Sequence, residues 1–129
     1  MAKILIVEDE KALNEAYEMI LKRDKHAVAT AFNGQEALAA FKRQPPDLML
    51  LDLRMPVMDG VELLEKLKPA KNYPKTKIIV FSNYDDPDEI DKAFARGAHH
   101  YILKAWSSPS ELVKVVRTTL KEKKAPKQA

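Results

Sequence analysis

Polar side chains that could take part in chemistry follow each of four short apolar runs in the sequence. In chain order, Ile4–Val7 precedes Glu8, Asp9 and Glu10, Leu48–Leu51 precedes Asp52, Ile78–Phe81 precedes Ser82, and Ile102–Leu103 precedes Lys104. If these runs are strands of one parallel sheet, their carboxyl ends meet at one edge, where such sheets form their ligand sites. Carboxylates packed together repel one another unless a cation offsets the repulsion. Two carboxylates, a carbonyl and waters are ligands that suit Mg²⁺, so the sequence predicts a magnesium site at this edge.

The same side chains favour phosphoryl transfer. A carboxylate can act as a nucleophile toward phosphorus, while Mg²⁺, a lysine and a hydroxyl neutralise and orient the phosphoryl group. A Gly-rich phosphate-binding loop is absent, since the sequence has only Gly34, Gly60 and Gly97. We therefore expect no ATP site, and we expect the phosphoryl donor to be another molecule.

Alternating strands and helices account for the placement of these residues. Short apolar runs predict five strands, and apolar stripes at helical spacing predict a helix after each strand. The predicted strands are Lys3–Val7, His26–Thr30, Leu48–Leu51, Ile78–Phe81 and Tyr101–Leu103. Polar residues predict helix N-caps at Asn33, Asp59, Asp86 and Ser108. Strands buried on both faces, in alternation with helices, favour one doubly wound α/β domain with a parallel sheet.

Length and composition restrict the class of protein. A chain of 129 residues is long enough for one hydrophobic core. Its apolar runs are far shorter than the ~20 residues that span a bilayer. It has no cysteine for a disulfide or a thiolate metal site. Because a predicted strand begins almost at the first residue, we expect no signal peptide, no membrane association and a cytoplasmic location.

The formal net charge of +3 comes from the last ten residues. Residues 120–129 hold four lysines and one glutamate, and basic and acidic residues balance in the rest of the chain. A surface that binds a phosphate backbone needs a clustered excess of Lys and Arg. We therefore expect no direct binding of nucleic acid, and we expect residues 122–129 to form a flexible basic tail.

The most specific stretch of the sequence is residues 52–60, DLRMPVMDG. It fits the pattern D-x-x-M-P-x-x-D-G. Together with Glu8-Asp9, Ser82 and Lys104 in this order, it resembles the receiver domain of bacterial two-component response regulators. The resemblance extends to about Lys121, so we expect a receiver domain over residues 1–121. It implies a flavodoxin-like α/β fold, with five parallel strands in the order 2-1-3-4-5 and helices on both faces of the sheet.

The resemblance implies which residues accept the phosphoryl group and bind the metal. Asp52 is the phosphoacceptor, and the donor is a sensor histidine kinase or a phosphotransfer protein. Mg²⁺, or Mn²⁺ in its place, is bound by Asp9, Asp52 and the backbone carbonyl of Arg54. Glu8 acts on the ion through water.

The resemblance also implies how phosphorylation changes the surface. Ser82 and Lys104 contact the phosphoryl group, and Tyr101 is the aromatic switch residue. Their movement remodels the face made by the fourth predicted helix, the fifth strand and the fifth predicted helix, which a downstream protein partner binds. The protein is then a monomer or a phosphorylation-dependent dimer.

Two positions depart from the family pattern, and a tryptophan lies close to them. Lys104-Ala105 stands where the family has Lys-Pro with a cis bond. Because a non-proline cis bond costs ~2.5–4 kcal/mol, we expect a trans bond there. Asn83 stands where the family has a small residue, so Asn83 and Ala105 are expected to modulate the phosphoryl lifetime. Trp106 is expected either to contact a partner on the switch face or only to cover the core.

We expect a phosphoacceptor switch rather than an enzyme, with only self-phosphorylation from donors and self-dephosphorylation. The alternative is a small Mg²⁺-dependent aspartyl-phosphate phosphatase of the dehalogenase-like class. That class typically has a second aspartate two residues after the first, where this sequence has Arg54. A flavin-binding module of the same topology is a third hypothesis. Its loop after the first strand would be rich in Ser, Thr and Gly, whereas Glu8-Asp9-Glu10 would repel the flavin phosphate.

Overall fold

The computed structural model describes residues 2–83, 86–104 and 108–122. Its elements, in chain order, are β1 (Lys3–Val7), α1 (Lys11–Arg23), β2 (Ala27–Ala31), α2 (Gly34–Arg43), β3 (Leu48–Leu51), α3 (Gly60–Leu67), α4 (Pro69–Asn72), β4 (Lys77–Ser82), α5 (Pro87–Ala95), β5 (His100–Leu103) and α6 (Pro109–Lys121). The short helix α4 was not predicted. The fourth and fifth helices predicted from the sequence are therefore α5 and α6.

The five strands form one parallel sheet in the order β2-β1-β3-β4-β5. Every neighbouring pair is parallel. The predicted fold class and strand order are confirmed. Three strands differ from their predicted ranges by one residue at a boundary. β2 is shifted one residue along the chain to Ala27–Ala31, β4 is one residue longer at each end (Lys77–Ser82), and β5 begins at His100 rather than Tyr101.

Helices cover both faces of the sheet because successive residues of a strand point to opposite faces. On β3, Leu48 and Leu50 pack in one cluster with the inner faces of α1 and α6. Met49 and Leu51 pack in the other cluster, with residues of α2, α3 and α5. The central strands are thus buried on both faces, as their continuous apolar sequence predicts.

Side-chain caps begin four helices at the predicted residues. Asn33 accepts a hydrogen bond from the Glu36 backbone, and Asp59 accepts one from Glu62. At the start of α5, Asp86 accepts from the backbone of Asp88, and at the start of α6 Ser108 accepts from Glu111. Each cap satisfies an N–H group that has no partner within its helix. The caps fix where each helix leaves the carboxyl edge of the sheet.

The connection from α3 to β4 is basic and lies at the amino end of the strands. Four exposed lysines lie in this connection and in the last turn of α3 just before it, and no acidic residue occurs between them. They are Lys66, Lys68, Lys71 and Lys75.

None of the helices in the described part of the chain has the length and hydrophobicity that a membrane-spanning helix needs.

Candidate functional site

Three carboxylates meet at the carboxyl edge of the sheet because β1 and β3 are neighbours. Val7 lies opposite Leu51, and the Asp52 backbone N–H donates to the Val7 carbonyl over 3.0 Å. The next residues of both strands therefore lie side by side. One oxygen each from Glu8, Asp9 and Asp52 lies within 4.8 Å of the others.

Burial makes this arrangement costly for the charges. Glu8 is 2 % exposed and Asp52 is 8 % exposed, while Asp9 is half-buried. Burial and, to a smaller extent, the nearby Asp52 charge raise the pKa of Glu8 to about 7, although a hydrogen bond from Lys104 offsets part of the rise. Near neutral pH, the negative charge of these three carboxylates therefore exceeds the positive charge of the side chains around them.

Lys104 brings an ammonium group from the far side of the sheet. It follows β5, and its Nζ donates to the Glu8 Oε1 and, over 3.3 Å, to Asp52 Oδ2. Burial alone would lower the pKa of Lys104, but the bond with Glu8 and the Asp52 charge outweigh it and raise the pKa above its usual value. Lys104 therefore remains charged and connects the two carboxylates.

The donor set fits a hard divalent cation. All the candidate ligands are carboxylate oxygens, which Mg²⁺ and Mn²⁺ accept, and neither His nor Cys is among them. Asp52 Oδ1 also accepts from the Arg54 backbone N–H at 3.2 Å, which keeps the backbone of residue 54 beside the carboxylate. The acidic cluster predicted from the sequence is thus present.

Ser82 and Tyr101 are in direct contact. Ser82 ends β4 and is fully buried, and Tyr101 lies on the neighbouring strand β5, opposite Val80. The side chains of Ser82 and Tyr101 are joined by a hydrogen bond. Burial raises the pKa of the Tyr101 hydroxyl, and that bond offsets part of the rise. The two residues predicted to act as a switch are therefore physically coupled.

The loop from β3 to α3 is close-packed around Asp52. A Cβ atom at Gly60 would lie 2.8 Å from the Asp52 carbonyl oxygen, so only glycine fits there. Val57 has a left-handed backbone, with φ of 70°, and its side chain is 73 % exposed. Arg54 crosses from this loop to α5, where its guanidinium donates to Glu89 over 2.7 Å.

Sequence reasoning missed two residues at this edge. Asn14 of α1 is 1 % exposed and donates to the backbone carbonyls of Glu8 and Ala31. The position of Asn14 in the sequence could have indicated its burial. It precedes the buried Leu21 by seven residues, or two helical turns, and so lies on the inner face of the helix. The second residue is Glu89 of α5, whose bond with Arg54 has no signal in the sequence.

The remaining predicted residues lie partly outside the described chain. Asn83 is exposed and lines a groove of about 350 Å³ together with Lys104. Ala105 and Trp106 lie outside the described residues. The expected trans bond at Lys104-Ala105 and the role of Trp106 therefore stay predictions.

Fold and site together define a flavodoxin-like α/β domain with an acidic pocket at the carboxyl edge of the sheet. The family model described as "Response regulator receiver domain" matches residues 4–117. The chain belongs to the receiver domain family of two-component response regulators, as the sequence motif predicted. The comparisons do not support the dehalogenase-like alternative.

The relatives include transcriptional regulators from several bacteria. The chain is 35 % identical over 120 residues to the transcriptional regulatory protein LnrK of Bacillus subtilis, covering 92 % of this chain and 53 % of LnrK. It is 35 % identical over 122 residues to the oxygen regulatory protein NreC of Staphylococcus haemolyticus, covering 92 % of this chain and 55 % of NreC. The chain thus spans about half the length of these relatives.

Solved structures of similar size share the whole fold. The chemotaxis protein CheY4 of Vibrio cholerae is 28 % identical, with a TM-score of 0.84, and the match covers 92 % of this chain and 98 % of CheY4. A CheY-like receiver domain protein from Methanospirillum hungatei is 30 % identical, with a TM-score of 0.86 and coverage of 93 % and 94 %.

Proposed function

We propose that Asp52 accepts a phosphoryl group from a sensor histidine kinase or a phosphotransfer protein. The observation that supports this most is the environment of the Asp52 carboxylate. It follows the central strand β3, lies within 4.8 Å of two further acids and accepts from Lys104 Nζ over 3.3 Å. In the transfer, an Asp52 oxygen forms a bond to phosphorus, and the bond from phosphorus to the donor breaks, with its electron pair remaining on the donor.

The acidic cluster is the proposed Mg²⁺ site, with Mn²⁺ as a substitute. Asp9, Asp52 and the Arg54 carbonyl would hold the ion, and Glu8 would act through water. A bound divalent cation supplies the positive charge that lets an anionic phosphoryl group approach three carboxylates. Lys104 keeps its own charge beside Asp52 and neutralises the phosphoryl oxygens. Supporting this assignment, the receiver family binds Mg²⁺ through an acidic pocket.

The proposal is tested by intact mass after incubation with acetyl phosphate and Mg²⁺. We expect one added phosphoryl group in the wild-type chain and none in Asp52→Asn. The matched control is Asp91→Asn, which neutralises an exposed acid on α5 and should still be labelled. Labelling of Asp52→Asn at the wild-type level would refute the assignment. Chelation of Mg²⁺ with EDTA should abolish labelling of the wild-type chain.

Ser82 and Tyr101 are the proposed route from Asp52 to the face formed by α5, β5 and α6. The hydrogen bond between them supports this, because a shift of Ser82 toward a phosphoryl group would break or redirect it. Beryllofluoride, a phosphoryl mimic, should therefore change amide chemical shifts on that face. Tyr101→Phe should reduce the response and Tyr73→Phe should not. Equal responses in both variants would argue against this route.

Further assignments follow from the receiver family. Residues 1–121 are the proposed receiver domain and 122–129 a basic tail, and the chain works in the cytoplasm without contacting nucleic acid. It acts as a monomer or a phosphorylation-dependent dimer, and a downstream protein binds the α5–β5–α6 face. Its only chemistry is self-phosphorylation from donors and self-dephosphorylation, with Asn83 and Ala105 modulating the phosphoryl lifetime. For Trp106, contact with the partner is the proposed role, and covering the core alone is the alternative.

A further inference from the structure

Asn14 is a buried polar side chain that the proposed phosphoryl transfer does not use. It lies on the inner face of α1 and is 1 % exposed. Its Nδ2 donates to the Glu8 carbonyl over 3.0 Å and to the Ala31 carbonyl over 3.1 Å. Both amide hydrogens are therefore used on backbone acceptors, one at the end of β1 and one at the end of β2.

These bonds fix the backbone that carries the acidic cluster. The Glu8 N–H donates to the Ala31 carbonyl over 3.1 Å, so the peptide groups on both sides of Glu8 have a partner. The peptide between Glu8 and Asp9 sets the direction in which both carboxylates leave the chain. The hydrogen bond of Asn14 to the Glu8 carbonyl holds that peptide.

A fixed backbone matters here because the carboxylates repel one another. Three carboxylate oxygens within 4.8 Å would separate if the loop could relax, and a relaxed loop would have to be reordered before it could bind a cation. Residues that orient metal ligands from outside typically contribute 10–100-fold to metal affinity. Asn14 acts one step further from the ion, on the backbone that carries Glu8 and Asp9, so its effect is expected at the lower end of this range.

We propose that Asn14 is a positioning residue for the divalent cation site, acting through the Glu8 carbonyl. This inference rests on the proposed Mg²⁺ site. Asn14 does not touch the ion or the phosphoryl group. It holds the acids in the arrangement that the ion requires before the ion arrives.

The experiment compares two variants that remove buried hydrogen bonds from side chains to backbone carbonyls, two bonds in the first variant and one in the second. Asn14→Leu keeps the size of the side chain and removes both donors. The control is Thr76→Val, because Thr76 Oγ1 donates to the Pro46 carbonyl over 2.6 Å at the opposite edge of the sheet. The dissociation constant for Mg²⁺ is measured by titration, following the amide signals of residues 8–10, and unfolding is measured in urea with EDTA.

We expect Asn14→Leu to raise the Mg²⁺ dissociation constant by about 10-fold. Thr76→Val should lower the urea midpoint but change the Mg²⁺ constant less than about 2-fold. An unchanged constant in Asn14→Leu, or equal increases in both variants, would overturn the inference. If Asn14→Leu does not fold, Asn14→Ser replaces it, and an unchanged constant there overturns the inference equally. If the wild-type chain binds no Mg²⁺, the metal site itself is refuted together with the inference.

Discussion

Replacing Glu8 with Gln should stabilise the metal-free protein, and more so as the pH rises. The Glu8 carboxyl is 2 % exposed, and burial raises its pKa from 4.5 to about 7. Between these two values the folded state binds more protons than the unfolded state. The contribution of Glu8 to the unfolding free energy therefore falls as the pH rises through this window. The stability associated with Glu8 is fully present below about pH 4.5 and is lost as the pH rises through about 7.

The size of the effect follows from the difference between the two pKa values. Each unit corresponds to about 1.4 kcal/mol, so the ionised Glu8 costs about 3 kcal/mol above pH 7. A domain of this kind has a total stability of ~5–15 kcal/mol, so the effect is measurable. Gln occupies almost the same volume and still offers an oxygen to Lys104, but it does not titrate.

Urea unfolding of both proteins in EDTA, followed by circular dichroism between pH 4.5 and 8, measures this effect. Subtracting the wild-type free energy from that of Glu8→Gln cancels the groups that titrate equally in both. The difference should grow by about 3 kcal/mol across the range, and Mg²⁺ should reduce it, because a cation stabilises the ionised carboxylate. A difference that stays constant with pH would refute the argument that Glu8 is forced to ionise at a cost.

Three further predictions concern other backbone and buried positions. Val57→Gly should raise the unfolding free energy by about 1 kcal/mol in urea, because a β-branched residue is strained at φ of 70° and the side chain is 73 % exposed. Gly60→Ala should lower the unfolding free energy by about 2 kcal/mol or more and slow phosphorylation, because the added Cβ would press on the Asp52 carbonyl. Wild-type values for both stability and phosphorylation rate would contradict the close packing at this position. Burial lowers the pKa of His99, whose Nδ1 accepts from the Ile78 backbone, so the folded state disfavours the charged ring. The His99 contribution to stability should therefore fall as the pH drops below about 6.5, so the unfolding free energy of His99→Asn minus that of the wild type should grow as the pH drops, measured in the same assay.

Local rules of sequence were sufficient for the elements and for the edge at which the site lies. The apolar runs at β3 and β4 predicted buried parallel strands, and each polar residue after a run lies at the carboxyl edge. The cap at Asp59 depends only on residues within one turn, so it too could be predicted. The family motif supplied the strand order, which composition and periodicity alone left among several topologies.

Long-range contacts between side chains could not be predicted in the same way. Arg54 and Glu89 are 35 residues apart, and nothing local indicates that they meet. The direct bond between Ser82 and Tyr101 depends on the register of β4 and β5, which fixes which side chains share a face. The short helix α4 follows a left-handed residue, Lys68, whose backbone angle no propensity rule indicates.

The basic connection between α3 and β4 gives the molecule an electric dipole along its strands. Acids lie at the carboxyl edge, and the exposed lysines of residues 66–75 lie at the amino edge. β1 has 5 residues, so the two edges are roughly 16 Å apart. The Debye length at physiological ionic strength is only about 8 Å. The electrostatic force on an approaching molecule therefore depends mainly on the charge of the edge that it faces rather than on the net charge of the protein. This force turns the molecule into a preferred orientation before contact, according to its own charge distribution.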